Sequence, residues 1–177
     1  VKPTPGNADN VFENNNDTDM TAIGVAVAGN PDGPFKRIRN NPVLDVSDVV
    51  ADFDSYRIDD AALLVRNNQV WLYYKGRSRI HGKSGPRHTQ MGVAFSDNPE
   101  GPYKKHTNPL LDRSHEVLIW GQKEGIGSLA SINRTVNLAT DGLNFSLMQA
   151  DLLQVPKAPG LYRPELTNHS IKEIPRW

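Results

Sequence analysis

Two short polar segments of this 177-residue chain carry groups that could exchange protons with a substrate. In the first, Asp59 and Asp60 stand directly before an apolar run, and in the second, His115 and Glu116 stand directly before another. A carboxylate can act as a general base or shift the pKa of a neighbouring acid. Histidine titrates near neutrality and can protonate a leaving oxygen, and so can a glutamate whose pKa is raised by burial.

Four residues are candidates for substrate contact. Asp60 is one; Lys75 and Arg77 end a predicted strand and could hold a hydroxyl or an anionic group; and the ring of Trp120 could stack on a sugar. Each of these polar segments also has a plainer interpretation, as turn-capping aspartates, a surface His-Glu pair or a solvated loop. A buried tryptophan, likewise, more often belongs to the core.

An internal repeat shows which elements must position these residues. Residues 24–36 (GVAVAGNPDGPFK) return as residues 92–104 (GVAFSDNPEGPYK), and each copy leads to Asn-Pro and two apolar residues. Each copy predicts strand, turn and strand, because Pro presets φ near about −65° and Gly accepts positive φ. Between the copies, residues 61–65 and 70–74 are β-rich apolar runs separated by polar residues 66–69, which predicts a hairpin.

Residues 58–104 are therefore predicted to form one four-stranded unit. Further units or parts of units are predicted at residues 21–38, at 116–148 and after Leu161. Four-stranded antiparallel units repeated at about 40–50 residues are typical of a β-propeller, and a β-sandwich with a fortuitous repeat is the alternative. Because a propeller must close to remove its exposed edges, we expect sequence to be missing at the N-terminus and also at the C-terminus.

The first strand of each propeller unit lies nearest the central channel. Asp59 and His115 open such strands in successive units, so both are expected to face one axis. Two acidic groups around an axial pocket is the arrangement of glycoside hydrolysis, with about 6.5–9.5 Å between them in inverting enzymes. The sequence thus predicts one all-β domain over residues 1–177, a partial propeller with a sugar-binding pocket on its axis.

Composition excludes several other classes. The 20 basic and 20 acidic side chains balance, so neither nucleic acid nor an anionic membrane is expected as a partner. No apolar run approaches the roughly 20 residues of a membrane-spanning helix. The chain has no cysteine, and the spacing of His81 and His88 does not form a metal motif. No cofactor or metal site is predicted.

Four segments resemble glycoside hydrolase family 117, the α-1,3-neoagarooligosaccharide hydrolases or 3,6-anhydro-α-L-galactosidases. They are residues 58–61 (Ile-Asp-Asp-Ala), 71–77 (Trp-Leu-Tyr-Tyr-Lys-Gly-Arg), 91–94 (Met-Gly-Val-Ala) and 115–117 (His-Glu-Val). The Tyr-Tyr-Lys-Gly-Arg strand and the His-Glu pair are the more specific parts. The resemblance implies a five-bladed propeller related to family 43. It also implies removal, with inversion, of the terminal 3,6-anhydro-L-galactose from neoagarooligosaccharides in agar breakdown.

The resemblance also implies a role for individual residues. His115 matches the family's general acid, Glu116 the acidic residue beside it, and Asp59 the carboxylate that orients the acid, with Asp60 as its alternative. The family's general base, an aspartate of the first blade, has no match here. The family's N-terminal helical segment, which is used in dimerisation, also has no match in this chain. A homodimer is therefore implied only for a longer protein. Some relatives hold a central divalent cation, but no set of residues that could bind one is recognised in this sequence.

Two other functions remain open on the sequence alone. A family 43-like arabinofuranosidase or xylosidase would use Glu116 rather than His115 as its acid. A non-catalytic sugar-binding propeller would bind an oligosaccharide saturably without turnover. The compartment is not fixed by any motif, and a periplasmic or secreted location is favoured.

The unmatched base predicts that this chain alone does not hydrolyse its substrate. Inversion requires a base that activates water on the face of the sugar opposite the acid. The measurement is release of 3,6-anhydro-L-galactose from neoagarobiose by the isolated chain. Full turnover in that assay would contradict the prediction.

Overall fold

The structure is a computed structural model that describes residues 20–81, 88–112, 117–123, 125–130 and 135–147. Within these ranges it consists of strands and turns, with no α-helix. The strands are β1 (Ala26–Val27), β2 (Lys36–Arg37), β3 (Arg57–Arg66), β4 (Gln69–Arg77), β5 (Gln90–Ser96), β6 (Lys104–Lys105), β7 (Leu111–Asp112), β8 (Val117–Gln122), β9 (Gly125–Ala130), β10 (Thr135–Ala139) and β11 (Ser146–Leu147). The all-β prediction is confirmed.

The strands form three antiparallel sheets that follow one another along the chain. The first sheet is β1-β2, the second is β3-β4-β5-β6 with β7 also paired to β5, and the third is β8-β9-β10-β11. The second and third sheets correspond to the units predicted at residues 58–104 and 116–148, and the first sheet to the strands predicted at 21–38. The unit predicted after Leu161 lies outside the described residues.

The predicted hairpin is β3 and β4, and its turn is tighter than expected. Arg66 pairs with Gln69 in the ladder, which leaves only Asn67 and Asn68 as the turn. Both asparagines have positive φ, 51° and 58°, as the central residues of a type I′ hairpin turn do. Asparagine tolerates this region better than most residues, and this explains the polar pair at the tip.

The second sheet is covered on both faces, so β4 is buried along almost its whole length. The side chains of Leu72 and Tyr74 pack on one face with Leu44 and Phe53 from the segment before β3. Those of Trp71 and Tyr73 pack on the other face with residues of the third sheet, among them Val117 and Ile126. Because both faces of β4 are apolar, its sequence is a nearly continuous hydrophobic run rather than an alternation of apolar and polar residues.

The first strands of the second and third sheets, β3 and β8, lie in contact with each other. Further out, Arg66 Nη2 donates to the carbonyl oxygen of Thr140 at 2.6 Å, and the hydroxyl of Tyr73 donates to that of Gly142 at 2.9 Å. Face-to-face packing of successive four-stranded sheets, with their first strands adjoining, is β-propeller architecture. The fold class predicted from the repeat is thus confirmed.

The sequence repeat is also a repeat of strand register. Val27 stands opposite Lys36 in the first sheet, and the equivalent Phe95 stands opposite Lys104 in the second. The first sheet therefore corresponds to the outer two strands of a four-stranded unit. No helix with the length and apolarity of a membrane span occurs among the residues described by the structure.

Packing between the second sheet and the segment before it predicts a glycine requirement in β5. A Cβ added at Gly92 would lie 2.5 Å from Phe53 Cζ and 2.8 Å from Tyr74 Cζ. We expect Gly92→Ala to lower the free energy of unfolding by about 1–3 kcal/mol, the usual cost of overpacking. Urea denaturation measures this change.

Gly121 provides the matched control, because it also lies in a strand but a Cβ there would meet nothing within 4 Å. Gly121→Ala should therefore change the free energy of unfolding by less than about 0.5 kcal/mol. Equal losses in the two variants would contradict the packing of Phe53 and Tyr74 against β5.

Candidate functional site

A β-bulge at the start of β3 positions the acidic pair. Asp59 pairs with Lys75, and the next pair in the ladder joins Ala62 to Tyr73, so residues 60 and 61 stand against the single residue Tyr74. The extra residue keeps Asp59 and Ala62 on the same face of the sheet. Ala62 packs against the cluster shared with the third sheet, so Asp59 and Lys75 also lie on the face towards that sheet.

Lys75 joins both carboxylates. Its Nζ lies 2.9 Å from Asp59 Oδ1 and 2.6 Å from Asp60 Oδ2. The lysine side chain is only 5% exposed, against 21% for Asp59 and 39% for Asp60. Asp60 has a φ of 49°, an unusual conformation for a residue other than glycine, and the bulge imposes it. A buried ammonium with two acidic partners is the electrostatic centre of this end of the sheet.

The two contacts of Lys75 differ in kind. The ammonium donates a well-directed hydrogen bond to Asp60, whereas its 2.9 Å approach to Asp59 is an ion pair in which Oδ1 has no hydrogen-bond partner among the described residues. Oδ1 of Asp59 is thus buried beside the ammonium and retains an acceptor position for a second donor. An imidazole N–H or a sugar hydroxyl would satisfy it.

Burial raises the pKa of Asp59 above its ordinary value of 3.8, and the nearby carboxylate of Asp60 adds to this effect. The charge of Lys75 and a smaller contribution from Arg77 oppose it. A carboxyl group whose pKa is set by burial against a specific cation is typical of functional sites, although structural ion pairs produce the same pattern.

Two arginines extend the charged cluster along the same face. Arg77 is half-buried at the end of β4 and pairs directly with Arg57, whose side chain is 1% exposed and lies 5.3 Å from the ring of Tyr56. The Nε of Arg77 has no acceptor among the described residues. Sequence reasoning missed Arg57, although strand alternation could have found it, since it stands two residues before Asp59 and shares its face.

The second half of the predicted site is only partly described. Strand β8 begins at Val117, adjoins β3, and turns Val117 and Ile119 towards the second sheet. His115 and Glu116 directly precede β8 and lie outside the described residues. The first strands β3 and β8 are neighbours, as expected. The position of the His115 side chain stays a prediction.

Trp120 is not brought together with Asp59. It alternates with Ile119 along β8, so its ring lies on the opposite face of the third sheet. There it packs over Gly127, where an added Cβ would lie 2.3 Å from Trp120 Cε2. The ring is half-buried, and its stacking on a sugar stays a prediction.

One groove of the described surface lies away from the acidic pair. It has a volume of about 670 Å³ and is lined by Gln69 at the start of β4, together with Trp71, Phe95 and Leu143. Asp59 pairs near the other end of β4, so the candidate site is defined by charge and burial and does not lie in this groove.

No group of three or more potential metal ligands occurs in the described part of the chain. The rings of His81 and His88 stack with centroids 4.1 Å apart, but two imidazoles are fewer ligands than a zinc site needs.

Known proteins supply an independent comparison. No protein-family model matches the chain, and no curated protein matches it. Among solved structures, the chain is similar to Zg3597, a family 117 glycoside hydrolase produced by the marine bacterium Zobellia galactanivorans. The TM-score is 0.63 at 28% identity, and the match covers 73% of this chain and 37% of that chain. The chain therefore spans little more than a third of that protein, and the similarity supports the family 117 fold and a glycoside hydrolase function.

The Lys75 contacts predict a pH-dependent loss of stability. Lys75→Met strands the largely buried carboxylate of Asp59, and we expect the free energy of unfolding to fall by about 3 kcal/mol at pH 7. Lys75 favours the ionised form of Asp59, so the variant raises the pKa of Asp59 further, and the loss should be complete above the pKa that Asp59 has in the folded variant. It should disappear as pH falls from that value to the lower pKa of Asp59 in the folded wild-type protein, which itself lies above 3.8, because a protonated carboxyl group needs no cation.

Urea denaturation from pH 3.5 to pH 7.5, in steps of about half a unit across this window, measures the effect. Lys104→Met, which removes an exposed lysine of β6, is the control and should change little at any pH. Adding Asp59→Asn to Lys75→Met should recover part of the loss. A loss that is independent of pH would mean that Lys75 stabilises the sheet through packing alone.

Proposed function

We propose that this protein is an exo-acting glycoside hydrolase that removes the terminal 3,6-anhydro-L-galactose from neoagarooligosaccharides, with inversion. The observation that carries the proposal is the carboxylate of Asp59, which is largely buried and paired with Lys75, and whose Oδ1 accepts no well-directed hydrogen bond from a described residue. It opens a first strand that adjoins β8. The similarity to a family 117 glycoside hydrolase structure supports the reaction class, and the resemblance of residues 58–61 and 115–117 to that family supports the substrate.

In the proposed mechanism His115 protonates the leaving glycosidic oxygen. Asp59 accepts a hydrogen bond from the other ring nitrogen of His115, which orients the imidazole and stabilises its protonated form. That role requires an ionised carboxylate. Lys75 supplies an opposing charge that favours the ionised form of Asp59, whereas burial raises the pKa of its carboxyl group. Lys75 is therefore a positioning residue that acts through Asp59 and Asp60.

The polar side chains of Arg77, Glu116 and Asp60 are proposed to bind the hydroxyl groups of the sugar. Arg77 has an Nε without an acceptor among the described residues, which suits it to a sugar hydroxyl. Glu116 and Asp60 are proposed to accept hydroxyl hydrogens, and Asp60 is the more exposed of the two aspartates paired with Lys75. Trp120 packs on the far face of the third sheet, so its proposed part as a stacking platform has no support from its position.

The experiment compares aryl 3,6-anhydro-α-L-galactosides whose leaving groups differ in acidity. Reactions contain sodium azide, because a small anionic nucleophile replaces the unmatched base and attacks the anomeric carbon directly. We expect azide-dependent release of the phenol. His115→Ala should lose about 10²–10⁴-fold with poor leaving groups and far less with activated ones, which need no general acid.

Matched variants separate the alternatives. Asp59→Asn should keep the leaving-group dependence of the wild-type protein but shift the pH at which the rate is maximal, because Asp59 acts through His115. A leaving-group-dependent loss in Glu116→Ala instead of His115→Ala would identify a family 43-like mechanism. Saturable binding of neoagarobiose with no turnover of any glycoside would identify a non-catalytic sugar-binding protein.

A further inference from the structure

The strand that carries Lys75 and Arg77 is supported from its other face. Lys75 points towards the third sheet, and strand alternation turns Tyr74 and Gly76 the other way, towards the segment that precedes β3. A Cβ added at Gly76 would lie only 2.9 Å from Asp54 Cβ. The segment before β3 therefore contacts the backbone of β4 between the two cations of the site.

Asp54 connects this segment to the second sheet. Its side chain is almost fully buried, and Oδ2 accepts hydrogen bonds from the Tyr74 hydroxyl at 2.9 Å and from Lys105 Nζ at 2.6 Å. Burial raises the pKa of the Tyr74 hydroxyl, and the charge of Asp54 adds to the effect, so this hydroxyl remains a donor. Lys105 belongs to β6. Asp54 thus links the segment before β3 to two strands of the sheet.

The same segment leads directly into β3. The backbone N–H of Tyr56 donates to the carbonyl oxygen of Arg77 at 2.8 Å, and Asp59 follows three residues later. The residues that contact the far face of β4 therefore also fix the start of the strand that carries Asp59. The position of Asp59 relative to Lys75 depends on this shared support.

The ion pair at Asp54 is better suited to placing a strand than to stabilising the fold. Buried ion pairs contribute little net stability, because the free energy lost when the charges leave water offsets their attraction. Asp54 is 4% exposed and Lys105 is 26% exposed, so this offset falls mainly on the carboxylate. A hydrogen-bonded carboxylate, however, constrains the direction of its donors as well as their distance, which an apolar contact does not.

We propose that Asp54, together with Tyr74 and Lys105, is a positioning residue that holds Lys75 against Asp59. It acts from the opposite face of β4, where it fixes the Tyr74 side chain, and the next residue, Lys75, keeps its ammonium 2.9 Å from Asp59 Oδ1. Asp54 does not contact the sugar. The inference rests on the proposed function for its part in catalysis, but the placement of Lys75 can be measured without turnover.

Tyr74→Phe tests this placement, because it removes one hydroxyl without changing any charge. The readout is the pKa of Asp59 in the full chain, measured by NMR titration of its side-chain carboxyl carbon. Since Lys75 favours the ionised form of Asp59, we expect this pKa to rise when Lys75 is held less closely. The other described charges that act on Asp59, those of Asp60 and Arg77, stay in the protein.

Tyr73→Phe is the matched control. Tyr73 is as fully buried as Tyr74, and its hydroxyl also donates one hydrogen bond, to the carbonyl oxygen of Gly142 at 2.9 Å. Both variants lose a buried hydrogen bond, but only Tyr74→Phe releases Asp54. Tyr73→Phe should therefore leave the pKa of Asp59 unchanged.

Two substitutions at Asp54 separate position from charge. Asp54→Asn and Asp54→Ala remove the same charge, but the asparagine amide keeps an acceptor for the Tyr74 hydroxyl. The pKa of Asp59 should therefore be higher in Asp54→Ala than in Asp54→Asn. A direct charge effect would instead lower this pKa equally in both variants, because a negative charge has been removed.

The azide-dependent assay connects the placement to catalysis. Tyr74→Phe should lower the rate at pH 7 by about tenfold, because misplaced catalytic groups lose rate steeply, and Tyr73→Phe should not. A wild-type chain that releases no phenol would contradict the proposed hydrolysis, and the pKa comparison would still decide the role of Asp54.

The inference is overturned if Asp59 has the same pKa in Tyr74→Phe as in the wild-type protein while the amide spectrum shows a folded chain. An equal shift in Tyr73→Phe would also overturn it, because the effect would then be a general consequence of lost stability. If Tyr74→Phe does not fold, the two Asp54 variants decide, and equal pKa values of Asp59 in them reject the positioning role.

Discussion

The charged end of the second sheet depends on one buried ammonium group. Lys75 lies near the end of β4, an interior strand that is buried along almost its whole length, where an unpaired charge would be very costly. Its two acidic partners come from consecutive positions, 59 and 60, which in a regular strand would point to opposite faces. Only the bulge lets both carboxylates reach the same ammonium. The bulge, the positive φ of Asp60 and the burial of Asp59 are thus consequences of one electrostatic requirement.

The same requirement makes this end of the sheet suited to proton chemistry. A carboxylate that is simply buried takes up a proton, and one that is simply ion-paired at the surface has its ordinary pKa or a lower one. Asp59 lies between these limits, because burial raises its pKa while Lys75 and Arg77 lower it. Because the ammonium of Lys75 approaches Asp59 Oδ1 without a well-directed hydrogen bond, this oxygen can still accept one from a further group. The chemistry proposed for the site uses this balance.

Much of the fold follows from local features of the sequence. The Gly-Val-Ala run, the Asn-Pro-Asp/Glu-Gly turn and the aromatic after it predict two copies of the same strand pair, and the ladders of Val27 and Phe95 confirm the copies. Turn chemistry at Asn67 and Asn68 predicts the hairpin. The length of β3 was not predictable in this way, because Asp59 and Asp60 have low strand propensity, and Asp59 pairs with Lys75 while Asp60 lies in the bulge.

The site was harder to predict than the fold because it depends on which face each side chain occupies. The acidic pair was identified, but the bulge decides that Asp59 lies beside Lys75, and no composition signal marks a bulge. Arg57 was missed because a charged side chain at the start of a strand is usually exposed to solvent. Here the Arg57 side chain is buried, and the residue pairs with Arg77. Trp120 was proposed as a sugar platform on residue type alone, and alternation along β8 turns it away from Asp59. A one-residue change of register reverses every such assignment, so strand pairing has to be known before a residue on these sheets can be given a role.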